Sequence, residues 1–187
     1  QLLTIAVGAW ILMGVIIFGD VPTGSGSFIA GAITFGIGIL YLATSGLFFV
    51  AGGIMALLMR TQLAQADQTF IERDGYNELF TIHGTTMIFL VVVPILAGFG
   101  NYLVPLMIGA RDMAFPRLNM YSFWTFLLSQ LLVLSSFLTE LGSAGAGWTT
   151  YPPLSSNVGT PGSGQTYLVL AIFALGTSTL MGAINYV

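Results

Sequence analysis

The chain of 187 residues carries very little charge: charged residues make up 6 % of it and hydrophobic residues 56 %. A water-soluble domain of this size needs far more charge, so the composition predicts a protein whose solvent is the lipid bilayer. The basic residues are four arginines, which excludes a basic face for nucleic acid, and the lack of cysteine excludes disulfides and thiolate metal sites. Because the chain starts at Gln1 and ends at Val187 inside an apolar run, we interpret it as a fragment or as the ordered part of a longer subunit.

Several apolar runs are long enough to cross the hydrocarbon, which a helix does in about 20 residues. In chain order they are Leu2–Phe18, about Phe28–Met59, Thr81–Ile108, Met120–Leu138 and Tyr167–Val187. Backbone amides in lipid must be satisfied within the segment, so each run is predicted to be a helix. We therefore predict an all-α fold, a polytopic transmembrane helical bundle. Residues 31–187 would form a four-helix bundle, and residues 1–30 would hold an additional N-terminal helix and a loop.

The distribution of arginines predicts the orientation of this bundle. The loop at residues 110–117 is net basic, whereas the loops at residues 60–78 and 139–166 are net acidic. Cytoplasmic loops carry the excess of basic residues in membrane proteins. The 110–117 loop is therefore predicted to lie on the cytoplasmic side, and the other two loops on the outer side.

The only histidine, His83, lies in the first turns of the third apolar run. Ionisable groups are unfavourable in hydrocarbon, so we expect it to be functional. A neutral imidazole is a good ligand for heme iron, although a hydrogen bond to a neighbouring helix explains the residue equally well at this stage. Asn101 follows eighteen residues later, on the same face of a regular α-helix and roughly 27 Å along its axis. Pro94 and Pro105 are expected to kink this helix.

More polar side chains follow at the opposite end of the predicted bundle. Asp112 occupies the short loop after this helix, where an ordinary exposed acid is also a sufficient interpretation. The next two helices carry polar stripes at helical spacing: Asn119, Ser122 and Ser129 in one, and Ser178, Thr179 and Asn185 in the other. Such amides and hydroxyls either hold a file of water molecules or bind the helices to one another. Together they suggest a hydrated path that leads inward from Asp112.

Three residues near the outer membrane face are candidates to contact a cofactor bound to His83. Arg60 ends the second apolar run, where an arginine usually extends to the lipid headgroups. Trp148 and Tyr151 lie in the segment GWTTYPPL, and such aromatic residues ordinarily belong to the interfacial belt. Small residues in the helix of Arg60 would leave room for a flat macrocycle, with close helix packing as the simpler explanation.

Five segments of the sequence are distinctive: YNELFTIHGTTMIFL, GFGNYLVPLMIGARDMAFPRLN, SFW, GWTTYPPL and GAIN. They resemble subunit I of the heme–copper oxidases, in the branch that includes cytochrome c oxidase. The resemblance covers about Gly36 to Val187, and its run from Tyr76 to Trp124 is nearly unbroken. It implies that residues 31–187 are the N-terminal four-helix part of that subunit's bundle. The membrane would then be a bacterial plasma membrane or an equivalent respiratory membrane.

The resemblance also implies roles for individual residues. His83, from its T-x-H-G motif, would be an axial ligand of low-spin heme iron, and Arg60 would contact a substituent of that heme. Trp148 and Tyr151 would lie near the heme propionates. Asp112 would be the mouth of a proton-uptake channel. The residues implied to line this channel are Asn101, Asn119, Ser122, Ser178, Thr179 and Asn185, with Tyr41 as a further candidate.

Taken as a whole, the resemblance implies part of a catalytic subunit that carries electrons from cytochrome c through low-spin heme to oxygen, with proton uptake. High-spin heme and copper are expected in the complete subunit, with ligands outside this chain. Other oxidase subunits and membrane lipid are the expected partners. The alternatives are a quinol oxidase of the same superfamily and a non-catalytic polytopic membrane subunit.

The sequence departs from the family pattern in three places. Leu2–Phe18 stands in front of the first family helix, as an additional helix or as a segment from a fused or misassigned region. Phe173 replaces a histidine that is often present early in the fourth family helix. Quinol-using relatives carry Arg and Asp where this chain has Ala51 and Met55, which favours cytochrome c as the electron donor.

Overall fold

The computed structural model describes residues 26–67, 69–110 and 112–186. Within these ranges the chain consists of helices and loops and contains no strand. The helices are α1 (Gly26–Gln62), α2 (Arg73–Thr85), a π-helical segment (Thr86–Val92), α3 (Val93–Ile108), α4 (Pro116–Ser136), α5 (Gly164–Ala183) and a 3-10 turn (Ile184–Tyr186). The predicted helix at Leu2–Phe18 lies outside the described residues. The boundary between the two predicted segments, at residues 30 and 31, falls within α1.

Within the described residues, four helical stretches are long and apolar enough to cross a membrane. They are Phe35–Gln62, Arg73–Ile108, Pro116–Ser136 and Gly164–Tyr186. The second of these joins α2, the π-helical segment and α3 into one continuous rod. The prediction of a polytopic helical bundle is therefore confirmed for this part of the chain.

The helix ends follow from local backbone chemistry. Gly109 adopts a left-handed conformation with a φ of 68°, and its N–H donates to the carbonyl oxygen of Leu106 at 3.3 Å. Glycine takes this conformation without steric conflict, so α3 ends here. Pro116 begins α4, where its fixed φ suits the first helical turn and its missing N–H is not needed. Gly109 and Pro116 thereby define the two helix ends on either side of the short connection between α3 and α4.

The π-helical segment is a departure from the regular helix predicted between His83 and Asn101. It ends two residues before Pro94, which offers no N–H to the carbonyl four residues earlier and whose ring crowds that carbonyl. A widened turn relieves this conflict. Because a π-helix has more residues per turn than an α-helix, the count of five regular turns between the two polar residues does not hold.

Two helix pairs form the frame of the bundle: α5 packs along α4, and α1 packs along α3. The α1–α3 contact is close because glycines face each other. A Cβ atom at Gly98 would lie 3.0 Å from the carbonyl oxygen of Gly38 and 2.8 Å from the side chain of Leu42. Tyr41 and Phe126 belong to the buried core where the two pairs meet. Large apolar side chains cover the outer faces of the helices, as expected for surfaces that contact lipid or other apolar protein.

Candidate functional site

His83 is held by a backbone group of a neighbouring helix. Its Nδ1 lies 3.0 Å from the carbonyl oxygen of Gly52 on α1. A carbonyl oxygen only accepts hydrogen bonds, so Nδ1 carries the hydrogen and Nε2 of the neutral ring keeps its lone pair. Nε2 forms no hydrogen bond with any described residue. The contact fixes both the tautomer and the orientation of the imidazole.

Gly52 makes this contact possible because it lets α1 approach the rod closely. A Cβ atom at this position would lie 2.7 Å from the sulfur of Met87. A metal-bound histidine usually donates its second ring N–H to a carbonyl or carboxylate, which is the arrangement seen at His83. On this observation the ring fits an axial ligand of heme iron. Among the described residues, no three His, Cys, Asp or Glu side chains come together as a site for a free metal ion.

The loop that carries Trp148 is attached to the helix of His83. The backbone N–H of Gly147 donates to Thr81 Oγ1 at 2.9 Å. A Cβ atom at Gly84 would lie 3.3 Å from the indole of Trp148, and the indole packs edge-on against Phe89 with ring centroids 6.0 Å apart. Trp148 therefore lies against the helical turn that bears His83.

Arg60 and Tyr151 lie at the same end of the bundle but remain exposed. Arg60 is in the last turn of α1, about 12 Å beyond Gly52 at 1.5 Å per residue. Tyr151 is 70 % exposed, and neither side chain forms a hydrogen bond with the rest of the described chain. The structure thus places Trp148 beside the His83 helix, whereas it gives Arg60 and Tyr151 no contact with His83.

A cluster of three buried hydroxyls joins α1, α4 and α5. The hydroxyl of Tyr41 lies 3.1 Å from Ser122 Oγ and 3.5 Å from Ser178 Oγ. Ser178 Oγ donates to the carbonyl oxygen of Ser122 at 2.6 Å. Three predicted channel residues on three different helices therefore meet at one point, which we call the hydroxyl cluster.

The hydroxyl cluster forms part of the wall of a cavity of about 280 Å³. Its polar lining consists of Tyr41, Asn101, Ser122, Ser178, Thr179 and Tyr186. Asn101 Nδ2 donates to the carbonyl oxygen of Ala97 at 2.8 Å, whereas its Oδ1 is buried and accepts no hydrogen bond from the described residues. The cavity is half open and most of its lining is apolar, so any water bound there depends on these few polar groups.

Asp112 and two of the predicted asparagines lie around the loop between α3 and α4. Asp112 is half-buried, and its Oδ1 accepts the N–H of Met113 at 2.8 Å. Asn185 holds the end of the loop: its Oδ1 accepts the N–H of Phe115 at 2.7 Å. Asn119 is buried in the first turn of α4, and both of its amide atoms lack a partner among the described residues. The structure therefore adds an anchoring contact to the predicted lining role of Asn185.

Some polar residues of the interior are not indicated by the sequence. Gln130 on α4 and Gln165 on α5 are buried, and their amide groups have no partner within the described ranges. The only feature of the sequence that could indicate these two residues is that each is an amide within an apolar run. Tyr186 lines the cavity, and only its position next to Asn185 indicates it. Phe173, the residue at the position of the family histidine, is 75 % exposed.

Comparisons with known proteins show the family of this chain. Residues 36–187 match the family model described as Cytochrome C and Quinol oxidase polypeptide I. The chain is 54 % identical over 152 residues to the cytochrome c oxidase subunit 1 of Thermostichus vulcanus, which covers 81 % of this chain and 27 % of that protein. It is 50 % identical over 151 residues to the subunit 1 of Synechocystis sp., with the same two coverages of 81 % and 27 %.

A third relative is the heme-copper oxidase subunit I+III of Aeropyrum pernix. It is 48 % identical over 150 residues, which cover 80 % of this chain and 18 % of that protein. The chain thus spans about a quarter or less of the length of these relatives. Because the family match includes all of the residues that form the His83 contact, the hydroxyl cluster and the Asp112 loop, the chain belongs to the cytochrome c and quinol oxidase polypeptide I family.

Proposed function

We propose that this chain is part of the catalytic subunit of a terminal oxidase. The subunit would carry electrons from cytochrome c through low-spin heme to oxygen and take up protons through a channel that starts at Asp112. Membership of the family supports heme and copper chemistry in the complete subunit. The observation that carries the proposal is the hydrogen bond from His83 Nδ1 to Gly52, which leaves Nε2 with a free lone pair.

His83 would bind the heme iron through Nε2. A bound heme supplies an iron atom that gains and loses one electron at a time. The carbonyl oxygen of Gly52 holds the imidazole in one orientation and increases its basicity as a ligand. Trp148 would cover the edge of the macrocycle, since its indole lies against the same helical turn. Arg60 and Tyr151 are exposed near this end and would contact polar groups at the heme edge.

Asp112 would collect protons at the opposite end. A carboxylate can bind and release a proton, whereas the amides of Asn101 and Asn119 cannot and would instead position water. Their buried amide atoms that have no partner among the described residues support this role, because water can satisfy such atoms. Ser122 and Ser178 would continue the water file inward.

Two further lining residues would complete the path. Thr179 faces the same cavity as the hydroxyl cluster. Asn185 would keep the mouth loop in place through the N–H of Phe115. The channel would therefore run from the 109–115 loop to the hydroxyl cluster and onward to groups outside this chain.

The remaining cofactors and the partners follow from the family. A chain with one histidine cannot supply both the iron ligands and the copper ligands of an oxygen-reducing site. High-spin heme and copper would therefore be held by other parts of the complete subunit, which works with further oxidase subunits. Helices of spanning length and the family fit an integral membrane protein. We place it in a bacterial plasma membrane or an equivalent respiratory membrane, with the 110–117 loop on the cytoplasmic side.

A quinol oxidase of the same superfamily is the second candidate. Ala51 is half-buried on α1, and Met55 packs against the buried core. Neither side chain can form the charged contacts that quinol-using relatives place there, so cytochrome c is the favoured donor. The rate of oxygen consumption by the complete complex, measured with reduced cytochrome c and then with quinol, decides between the two.

The heme assignment is tested by His83→Ala in the complete oxidase. We expect the absorption band of low-spin heme to disappear from the reduced spectrum. Thr85→Ala is the control, because Thr85 is buried on the same helix and its hydroxyl bonds only to Thr81 of that helix. An unaltered spectrum in the histidine variant would refute the proposal. A colourless native complex would instead support the non-catalytic polytopic subunit.

A further inference from the structure

Tyr186 ends the 3-10 turn that follows α5 and reaches across to α3. Its ring lies over Gly100, where any side chain would collide with it. Its hydroxyl donates to the carbonyl oxygen of Ala97 at 3.3 Å. Gly100 therefore leaves the space through which this hydroxyl approaches the wall of the cavity.

The hydroxyl of Tyr186 and the amide of Asn101 converge on the same acceptor. Asn101 Nδ2 donates to the carbonyl oxygen of Ala97 at 2.8 Å, and this carbonyl also belongs to the backbone hydrogen bonding of α3. The distance of 3.3 Å from the tyrosine is long for an O–H···O bond, which usually measures about 2.7–2.8 Å. The hydrogen bond from the hydroxyl to this carbonyl is therefore weak, and the O–H can rotate to donate to a closer acceptor.

Two groups could bind a water molecule here: the hydroxyl of Tyr186 and Oδ1 of Asn101. Asn101 Oδ1 is buried, and it accepts no hydrogen bond within the described part of the chain. Both Asn101 and Tyr186 line the cavity of about 280 Å³. A water molecule there could donate to the amide oxygen while it exchanges a hydrogen bond with the hydroxyl, so both groups would gain a partner.

We propose that Tyr186 is a positioning residue of the proton path: its hydroxyl and the Asn101 amide together hold a water molecule in the cavity. The proposal rests on the proposed function, because it assumes that protons enter at Asp112. Tyr186 neither gains nor loses a proton in this role. It orients a water molecule through which the proton passes by rearrangement of hydrogen bonds.

One short turn would then fix two parts of the path. Asn185 precedes Tyr186 in the 3-10 turn and binds the N–H of Phe115 in the mouth loop at 2.7 Å. The position of the loop and the position of the hydroxyl are therefore coupled through adjacent residues. The packing of the ring does not depend on the hydroxyl, because a phenylalanine ring would fill the same space over Gly100.

The test is Tyr186→Phe in the complete oxidase with its partner subunits. The matched control is Tyr102→Phe, because Tyr102 lies on α3, packs against Phe35 with ring centroids 5.7 Å apart and does not line the cavity. Four quantities are measured: turnover, the ratio of turnover in H₂O to that in D₂O, the heme spectrum and the midpoint of thermal unfolding.

In Tyr186→Phe we expect turnover to fall about threefold and the solvent isotope ratio to rise, because one water-mediated hydrogen bond is lost from the proton path. The heme spectrum and the unfolding midpoint should stay as in the native complex, and the control should change none of the four quantities. A lower unfolding midpoint with an unchanged isotope ratio overturns the proposal and leaves the hydroxyl a packing role only. No change in any quantity overturns it as well.

Asp112→Asn in the same series separates this proposal from the proposed function. Turnover that is unchanged in Asp112→Asn overturns both, because no proton would then enter at that residue. Turnover that falls in Asp112→Asn, with an unchanged isotope ratio in Tyr186→Phe, overturns only the role of the tyrosine.

Discussion

The two ends of this bundle differ in whether their functional polar side chains have hydrogen-bond partners. At the His83 end, one imidazole is tied to the Gly52 carbonyl oxygen, and Trp148 packs against the adjacent helical turn. At the Asp112 end, the amide of Asn101 and five hydroxyls line a cavity, and the amides of Asn101 and Asn119 include buried atoms with no partner among the described residues. The first end restricts a ring to one geometry, whereas the second leaves buried amide atoms with unused hydrogen-bonding capacity.

This difference fits the two kinds of transfer that we propose, electron transfer at the His83 end and proton transfer at the Asp112 end. Metal coordination depends on a fixed ligand geometry, so a ligand whose second nitrogen is held by the backbone is advantageous. Proton movement through water depends on groups that both donate and accept and that can exchange partners. Paired polar groups at the His83 end therefore suit the binding of a metal, and unpaired amide atoms at the Asp112 end suit the binding of water. Substitutions at one end should leave the properties of the other end unchanged.

The largest effect is expected for Asp112→Asn in the complete oxidase. Loss of the entry carboxylate should lower turnover roughly a hundredfold, since positioned acid–base groups contribute rate factors of that order. The heme spectrum should remain unchanged, because the substitution lies at the far end of the bundle. Oxygen consumption and the reduced spectrum are measured together. Asp74→Asn, the same change at an exposed position near the other membrane face, is the control and should preserve turnover. A change in the heme spectrum would contradict the expectation that substitutions at one end do not affect the other end.

The next effect concerns the helix contact that supports the cavity. Gly98→Ala places a Cβ atom against Leu42 and the carbonyl oxygen of Gly38, so α1 and α3 must move apart. Overpacking of this kind costs about 1–3 kcal/mol, which should lower the midpoint of thermal unfolding. Gly46→Ala is the matched control, because a Cβ atom there meets nothing within 4 Å. Equal midpoints in the two variants would contradict the role of the close approach.

A somewhat smaller effect is expected at the His83 end. Thr81→Val removes the oxygen that accepts the N–H of Gly147, so the loop of Trp148 loses this hydrogen bond to the helix of His83. An unpaired buried donor costs about 1–3 kcal/mol, and we expect a value near the lower limit because the loop can move towards solvent. A shifted heme band with unchanged proton uptake is the expected result, measured by reduced spectra and stopped-flow pH indicators. Thr85→Val should alter neither quantity, because its hydroxyl serves only its own helix.

The smallest effect is expected within the hydroxyl cluster. Ser178→Ala removes the bond to the carbonyl oxygen of Ser122, which is worth about 1 kcal/mol, and the longer contact with the Tyr41 hydroxyl, while the contact between Tyr41 and Ser122 remains. Turnover should fall by a small factor and the heme spectrum should stay constant. Thr177→Ala, whose hydroxyl bonds to Phe173 on its own helix, serves as the comparison. Identical turnover in the two variants would contradict the proposed role of Ser178 in the proton channel.

Much of the fold can be predicted from the sequence, because hydropathy along a single segment determines whether that segment crosses a membrane. The four described spans lie where apolar runs are predicted. The π-helical segment is not predicted, although Pro94 is recognised as a source of distortion. Proline removes a hydrogen bond in any helix, but whether the helix kinks or widens depends on the neighbours that pack against it.

The sequence by itself determined the membrane environment, the helical class and the residue types available for chemistry, because these depend on composition and on short motifs. Only the tertiary structure decided which nitrogen of His83 is free, since the Gly52 carbonyl comes from another helix. It also decided that Asn101 and Tyr186 share one acceptor, since Gly100 leaves room for the tyrosine ring. The hydrogen-bond partner of a polar atom depends on how segments distant in the sequence pack together. The residues next to that atom in the chain do not determine it.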